Sequence, residues 1–360
     1  MSTSGEARVW AEIDPAAIRH NAEFARRHSG RELIAVVKAN AYGHGVDVAV
    51  DALRDIVELF AVANVSEAAV VRTLAPERDV LLLSPCLPGE RRDAVRLGCI
   101  ATVSSVEEAR TFAGGRVSLK VDTGMGRIGA WHGGALAEIA AITKLPNIVL
   151  HSVATHLPVP DEDEAFTGDQ LAGFAEFATE ARALAPHARF HALNSAGICG
   201  YPQFAFDLVR PGLMLYGSAP IPAFQPELRP ALAWKTRVLL VREVPAGRGI
   251  SYGRTFVTPR SMRIATIAAG YADGYPRQAS NRGACVLIGG RRCALLGRVT
   301  MDQLLIDVTD VPSVALGDEV VLLGAQGDAE IFAAELAEWG GTIAWHIFTG
   351  IGGRTKRFVV

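Results

Sequence analysis

Apolar residues cluster in eight short runs over the first 217 positions: 33–39, 59–65, 80–85, 100–105, 117–123, 148–156, 189–195 and 208–217. Each run is rich in Val, Ile and Leu and shows little of the apolar–polar alternation of a half-solvated sheet. Each therefore predicts a strand buried on both faces. Between them, apolar positions recur at helical spacing over 46–58, 66–74, 106–112 and 164–184. Strands alternating with helices predict parallel βαβ units. Eight such units in about 220 residues fit a (β/α)8 TIM barrel, with a doubly wound open sheet as the alternative.

The pattern changes after Pro220. Residues 221–230 hold Pro222, Pro226 and Pro230 and read as a linker. Beyond them the apolar runs are close together, at 234–244, 263–269, 284–288, 293–296, 304–308 and 319–323, with glycine turns between. One helical stretch stands out, at 329–339. The expectation is an α/β chain: an N-terminal (β/α)8 barrel over residues 1–230 and a mostly-β domain over 231–360.

Length and composition agree with two domains. The chain has 360 residues, and a domain takes roughly 150. The hydrophobic fraction of 49% supports large cores. The 36 Lys and Arg nearly balance 38 Asp and Glu, which argues against nucleic acid or an anionic membrane as partner. No apolar run is long enough to span a bilayer, and the first residues lack the apolar core of a secretory signal. Cys86, Cys99, Cys199, Cys285 and Cys293 are odd in number and lack Cys-x-x-Cys spacing. Neither a disulfide framework nor a metal site is expected, and the cytoplasm is the expected compartment.

The candidate chemistry gathers at the ends of the predicted strands. Lys38 closes the first run and is followed by Tyr42-Gly43-His44-Gly45. A lysine at the C-terminal mouth of a barrel strand, partly desolvated, suits Schiff-base formation; a strand-end lysine reaching for solvent is the plain alternative. The fifth run carries Lys120 and Asp122 into a glycine loop that presents Arg127. Arginine suits bidentate carboxylate recognition, and an internal ion pair is the plain alternative. The sixth run ends at Thr155-His156, the seventh at Asn194-Ser195, and the eighth holds Arg210-Pro211-Gly212. Barrels often seat a phosphate on the last two of these loops. In the second domain Tyr252, Tyr271 and Met301 lie in three turns where polar and aromatic residues crowd beyond what turn chemistry needs.

Together these residues resemble the pyridoxal-phosphate-dependent alanine racemase family. The resemblance runs from about Val9 to beyond Gly341. It rests on the motif around Lys38, on Lys120 to Arg127, Arg210-Pro211-Gly212, Ser251-Tyr252-Gly253 and Gly270 to Gly274. It implies a head-to-tail homodimer in which the β domain of one subunit completes the active site of the other, and interconversion of L- and D-alanine by two bases. Lys38 would carry pyridoxal 5'-phosphate as a Schiff base and serve as the base for the D-enantiomer. Tyr252 of the other subunit would serve the L-enantiomer. Tyr42, Ser195 and the backbone of Gly212 and Leu213 would hold the phosphate, with Asn194 beside them. Arg210 would face the pyridine nitrogen, and His156 would link Arg210 toward Tyr252. Arg127 and the backbone of Met301 would receive the substrate carboxylate. Lys120 matches a position that many members carbamylate. One residue departs from the pattern: Trp345 stands where the family usually has a tyrosine that contributes to the phosphate and the access channel. An indole N–H donates but cannot accept.

Three alternatives compete with an alanine racemase. A racemase of broader range would also take serine. A decarboxylase on the same plan would need room for a longer side chain, and the region of Met301 gives little sign of it. A non-catalytic cofactor carrier would need neither Tyr252 nor the second domain.

Overall fold

Eight parallel strands make the first unit of the computed structural model, which describes residues 7–311 and 313–360. In chain order they are Glu32–Val36, Leu59–Val62, Asp79–Leu82, Ile100–Val103, Arg116–Asp122, Val149–Ala154, Arg189–His191 and Leu208–Val209. Each pairs in parallel with the next as far as the seventh, and the eighth returns to pair with the first. Between seventh and eighth the contact narrows to two backbone bonds, Asp207 N–H to the Phe190 carbonyl and Arg210 N–H to the Leu193 carbonyl, both 2.9 Å. The ring is thus a nearly closed barrel. Five of the eight strands fall within the apolar runs, and the other three, Glu32–Val36, Asp79–Leu82 and Arg116–Asp122, begin one residue earlier. The last run was read as a longer strand; only Leu208–Val209 pairs, and Leu213–Tyr216 turn into a 3-10 helix.

Helices follow the strands because capping residues start them. Asn64, Ser105, Asp163 and Asn194 each accept a backbone N–H of the first turn. The helix Pro15–Ser29 precedes the first strand, and buried Asn21 bonds the carbonyls of Leu215 and Arg229 and the Arg229 N–H. That one amide ties down the chain after the eighth strand.

The second unit comprises the described part of residues 1–15, Tyr42–His44 and Pro230–Val360. Its long strand Leu232–Val244 is flanked by Glu319–Gln326 and by Val9–Ile13, and Met262–Ile267 continues its far half. Val9–Ile13 also pairs with Lys356–Val359, with Ala11 between Trp234 and Arg357. Trp10 and Trp234 are fully buried there. The division at residues 230 and 231 assigns the N-terminus to the barrel; in the structure Val9–Ile13 is instead an inner strand of the β unit. Its pairing partners lie more than 200 residues away, so no local signal announces it.

Tyr42–His44 likewise belong to the β unit. The His44 ring meets Phe348 edge-on at 4.9 Å, and Arg357 donates to the Gly43 carbonyl at 2.5 Å. Gly43 has φ +82, and a Cβ there would collide with the Phe348 carbonyl, so only glycine fits. The helical stretch expected at 329–339 divides into a strand, Ala329–Ile331, and a helix, Ala333–Gly340. No described helix is long and apolar enough to cross a membrane.

Candidate active site

The first strand ends in an uncommon backbone. Ala39, Asn40 and Ala41 have φ 53 with ψ near 50, and Tyr42 has φ 53, which makes one turn of left-handed helix directly after Lys38. For residues with a Cβ this conformation costs about 1–2 kcal/mol each. It persists because its polar groups are fastened. Ala41 N–H bonds the Val37 carbonyl at 2.9 Å, Gly45 N–H the Asn40 carbonyl at 3.0 Å, and Val46 N–H the Asn40 side chain at 2.8 Å. The Lys38 side chain is partly buried. Burial holds its amine below the usual value, Arg127 adds to this, and Glu67 opposes it.

Below Lys38 lies a buried cationic cluster with few anions. Arg210 is 4% exposed. Its guanidinium donates to the carbonyls of Thr155 at 2.8 Å, Ala192 at 2.7 Å and His191 at 3.0 Å. It also meets His191 Nδ1 at 2.6 Å and His156 Nδ1 at 3.4 Å. Burial brings its pKa down to about 10, so it remains charged at neutral pH. Lys120 Nζ donates to the Thr155 carbonyl at 2.9 Å, and burial with Arg210 and Arg127 nearby holds its amine well below the ordinary lysine value. His156 is pushed down to about 2 by burial, then by Arg210 and Lys120. It is therefore a neutral imidazole beside the charged Arg210.

Lys120 and Asp122 do not pair as an internal ion pair. Asp122 Oδ1 accepts the N–H of Gly124 at 2.9 Å and of Gly126 at 3.1 Å, and Oδ2 that of Arg127 at 3.1 Å. Burial pushes this carboxyl up, but those backbone bonds outweigh it and hold it below its usual range. The carboxylate thus shapes the loop that presents Arg127, whose side chain is exposed.

At the seventh and eighth strands, Ser195 Oγ accepts the Gly212 N–H at 3.0 Å and the Met214 N–H at 3.3 Å. Asn194 caps the helix Ser195–Gly200 through Gly197 N–H at 2.9 Å and donates to the Leu157 carbonyl. Leu213 is buried beside them. Barrel residues Lys38, Lys120, Arg127, His156, Asn194, Ser195, Arg210, Gly212 and Leu213 therefore share one end of one barrel.

Tyr42, Tyr252, Met301 and Trp345 belong to the β unit. Tyr42 is buried, and burial pushes its phenol pKa up. Tyr252 is 71% exposed and Met301 52%. Tyr252 sits between Ser251, Gly253 and Arg254, all with positive φ. Ser251 anchors the turn to the Arg298 carbonyl at 2.6 Å. The Met301 loop is tied to Tyr271-Ala272 by their N–H bonds to the Thr300 and Met301 carbonyls, both 3.0 Å. Gly270 is packed so closely on that loop that no Cβ fits. Trp345 is half-buried on the helix Ala344–Gly350.

Two residues were passed over in the sequence. His191 ends the seventh strand inside the barrel and meets Arg210; its position at a strand end was the available signal. Glu67 lies in the helical run 66–74. Its carboxylate accepts the N–H of Ala39 and of Ala63, both at 2.8 Å, a role no spacing reveals.

Comparison with known proteins follows the same division of the chain. The family model for the alanine racemase N-terminal domain matches residues 13–220, and that for the alanine racemase C-terminal domain matches 231–359. The chain is 42% identical to an alanine racemase of Symbiobacterium thermophilum, over 99% of this chain and 98% of that protein. It is 39% identical to one of Halothermothrix orenii, over 97% and 96%. The crystal structure of a biosynthetic alanine racemase from Pseudomonas aeruginosa superposes with a TM-score of 0.91 at 35% identity, covering 98% of this chain and 99% of that one. Both domains are thus matched over nearly the full length of these relatives, and the chain belongs to the alanine racemase family.

Proposed function

We propose that this chain interconverts L- and D-alanine with pyridoxal 5'-phosphate held on Lys38, using Lys38 and Tyr252 of the partner subunit as opposed bases. The observation that carries the reading is the donor set of the barrel mouth. A desolvated amine stands above buried Arg210 and Lys120, whose hydrogen bonds go to carbonyls and imidazoles rather than carboxylates. Such a set fits an anionic aromatic aldehyde. When bound, the cofactor supplies an electron-withdrawing ring that makes the substrate Cα–H acidic.

The residues divide the remaining work. Lys38 Nζ takes and returns the proton on one face of Cα, the more readily because desolvation lowers its pKa. The Tyr252 hydroxyl does so on the other face, so the substrate need not turn over. A phenol titrates near 10 in water. Neutral His156 would link charged Arg210 toward the partner subunit's Tyr252. Arg210 would be the residue at the pyridine nitrogen and, still protonated at neutral pH, would give it no proton. Arg127 and the Met301 backbone hold the substrate carboxylate. Ser195, Tyr42, Gly212 and Leu213 hold the phosphate, with Asn194 and the Trp345 indole N–H beside them. Lys120, its amine held well below the ordinary lysine value by burial, would add carbon dioxide: its nitrogen bonds the carbon, an amine proton leaves, and the carbamate pairs with Arg127.

The exposure of Tyr252 and Met301 supports a homodimer with shared sites, since a second copy would cover them. All five cysteines are unpaired and buried, which suits a reducing cytoplasm. Chiral analysis of L-alanine incubated with the protein and cofactor tests the reading. D-alanine is expected; carbon dioxide release would indicate a decarboxylase, and no change would overturn catalysis.

A further inference from the structure

We propose that Glu67 is a positioning residue for Lys38, fastening the left-handed turn that aims the amine; the inference rests on the reading of Lys38 as the cofactor lysine. Glu67 stands in the first turn of the helix Val65–Leu74, after the second barrel strand. Its two carboxylate oxygens reach different places. Oε1 accepts the N–H of Ala39, the residue directly after Lys38, and Oε2 accepts the N–H of Ala63, directly after the strand Leu59–Val62. One carboxylate thus clamps the ends of two neighbouring barrel strands. Ala39 is the first of the four positive-φ residues.

The need for such a clamp is physical. A run of residues with Cβ atoms in the left-handed region relaxes unless its surroundings over-determine it. The Asn40 bonds to Gly45 and Val46 fix the far end of the turn. The near end, where Lys38 leaves the strand, is fixed by Ala41 N–H on Val37 and by Glu67. The N–H of Ala39 points at an exposed rim, and a charged acceptor holds it more firmly than water does. The same carboxylate favours the charged Lys38 amine, against the positive Arg127 on the loop after the fifth strand, and neutral His156 also lies within electrostatic reach of Lys38. Geometry and charge therefore act together: Glu67 sets where the amine points and keeps burial and Arg127 from lowering its basicity further.

A glutamine at this position separates the two roles from mere stability. Its oxygen can serve one N–H, but its NH2 faces the other donor, and the charge is gone. The full-length chain is stripped of bound aldehyde with hydroxylamine, and Lys38 is pulse-labelled with acetic anhydride across pH, read by mass spectrometry. In Glu67→Gln the labelling midpoint should move down relative to the parent, and amide exchange at Ala39 and Ala63 should accelerate. Capture of added pyridoxal 5'-phosphate, followed by absorbance, should slow on the order of 10- to 100-fold, the cost of a misplaced reactive group. Glu67→Asp keeps the charge but not the reach, so its midpoint should stay near the parent while one of the two amides is freed. An unshifted Lys38 midpoint and protected amides in folded Glu67→Gln would overturn the proposal. If Glu67→Gln does not fold, full protection of both amides in Glu67→Asp overturns it. If the parent itself captures no cofactor on Lys38, the cofactor reading fails, while the labelling and exchange results still decide the role of Glu67.

Discussion

Arg210 and Tyr252 show two ways of holding a polar group. Arg210, in the barrel, is 4% exposed and met by three carbonyls and two imidazoles. Tyr252, in the β unit, is 71% exposed on a turn of three positive-φ residues, and Met301 is exposed as well. The barrel holds the charge of Arg210 with its own backbone carbonyls and two imidazoles. The β unit instead keeps a rigid loop and presents its aromatic group outward. Rigidity without burial is the mark of a surface meant to meet something else. The two regions thus differ in kind: one buries a charge among acceptors, the other leaves an aromatic hydroxyl exposed on a tied loop.

The most severe tests remove the reactive group of each region. Lys38→Ala should abolish borohydride fixation of the cofactor to the chain and lower racemisation by more than the roughly 10²–10⁴-fold of a lost acid–base group alone. Labelled cofactor still fixed to the mutant chain would assign the attachment to another lysine. Tyr252→Phe should cost about 10²–10⁴-fold, with cofactor binding retained, because it removes one proton carrier only. Mixing the two mutants then tests whether the regions work across subunits. After random reassembly roughly half the dimers are mixed, and each has one doubly defective site and one intact site under two-fold pairing. About a quarter of all sites should recover. Recovery of nothing, with mixed dimers demonstrated, would place both bases in one chain.

A smaller effect sharpens the difference between charge and shape within the barrel. Arg127→Lys keeps the charge of the loop held by Asp122 but loses the planar fork. The expected cost is about 1.5–3 kcal/mol, or at least roughly tenfold in kcat/KM. A parental kcat/KM for alanine would remove Arg127 from the carboxylate site.

What the sequence disclosed follows from the same physics. The barrel strands were legible because burial on both faces writes unbroken apolar runs. The N-terminal strand Val9–Ile13 was not, since its pairing with Leu232–Val244 and Lys356–Val359 is non-local and Glu12 interrupts it. Lys38, Lys120 and Arg210 were legible as charges in apolar settings. The left-handed turn after Lys38 was hidden, because Ala39, Asn40, Ala41 and Tyr42 are not glycines and only their fastening by Glu67, Val37 and Gly45 makes the conformation tenable. The neutral state of His156 beside Arg210 was hidden as well: the same burial that isolates the arginine removes the proton from the imidazole.

That last point yields the mildest test, on stability rather than activity. Burial holds His151 down at about 4 and His156 at about 2, and it pushes His191 well below its ordinary value, with Arg210 adding to the last two. In the unfolded chain each titrates near 6.5. The folded barrel therefore binds fewer protons than the unfolded chain once the pH falls below that value. The histidine contribution to stability is full above about pH 6.5 and declines as the pH is lowered toward the folded values. The loss is up to about 1.4 kcal/mol per pH unit for each histidine. Asp79 and Asp122, held below the usual carboxylate range, begin to contribute only below about pH 4. The interval from pH 6.5 to 5 thus isolates the imidazoles. Amide exchange should show the opening free energy of the barrel strands falling over that interval, while the strands Leu232–Val244 and Glu319–Gln326 of the β unit change less. His156→Asn, which cannot take up the proton, should reduce the barrel's slope by about a third. A barrel as insensitive to this pH change as the β unit would mean that its histidines are not held neutral.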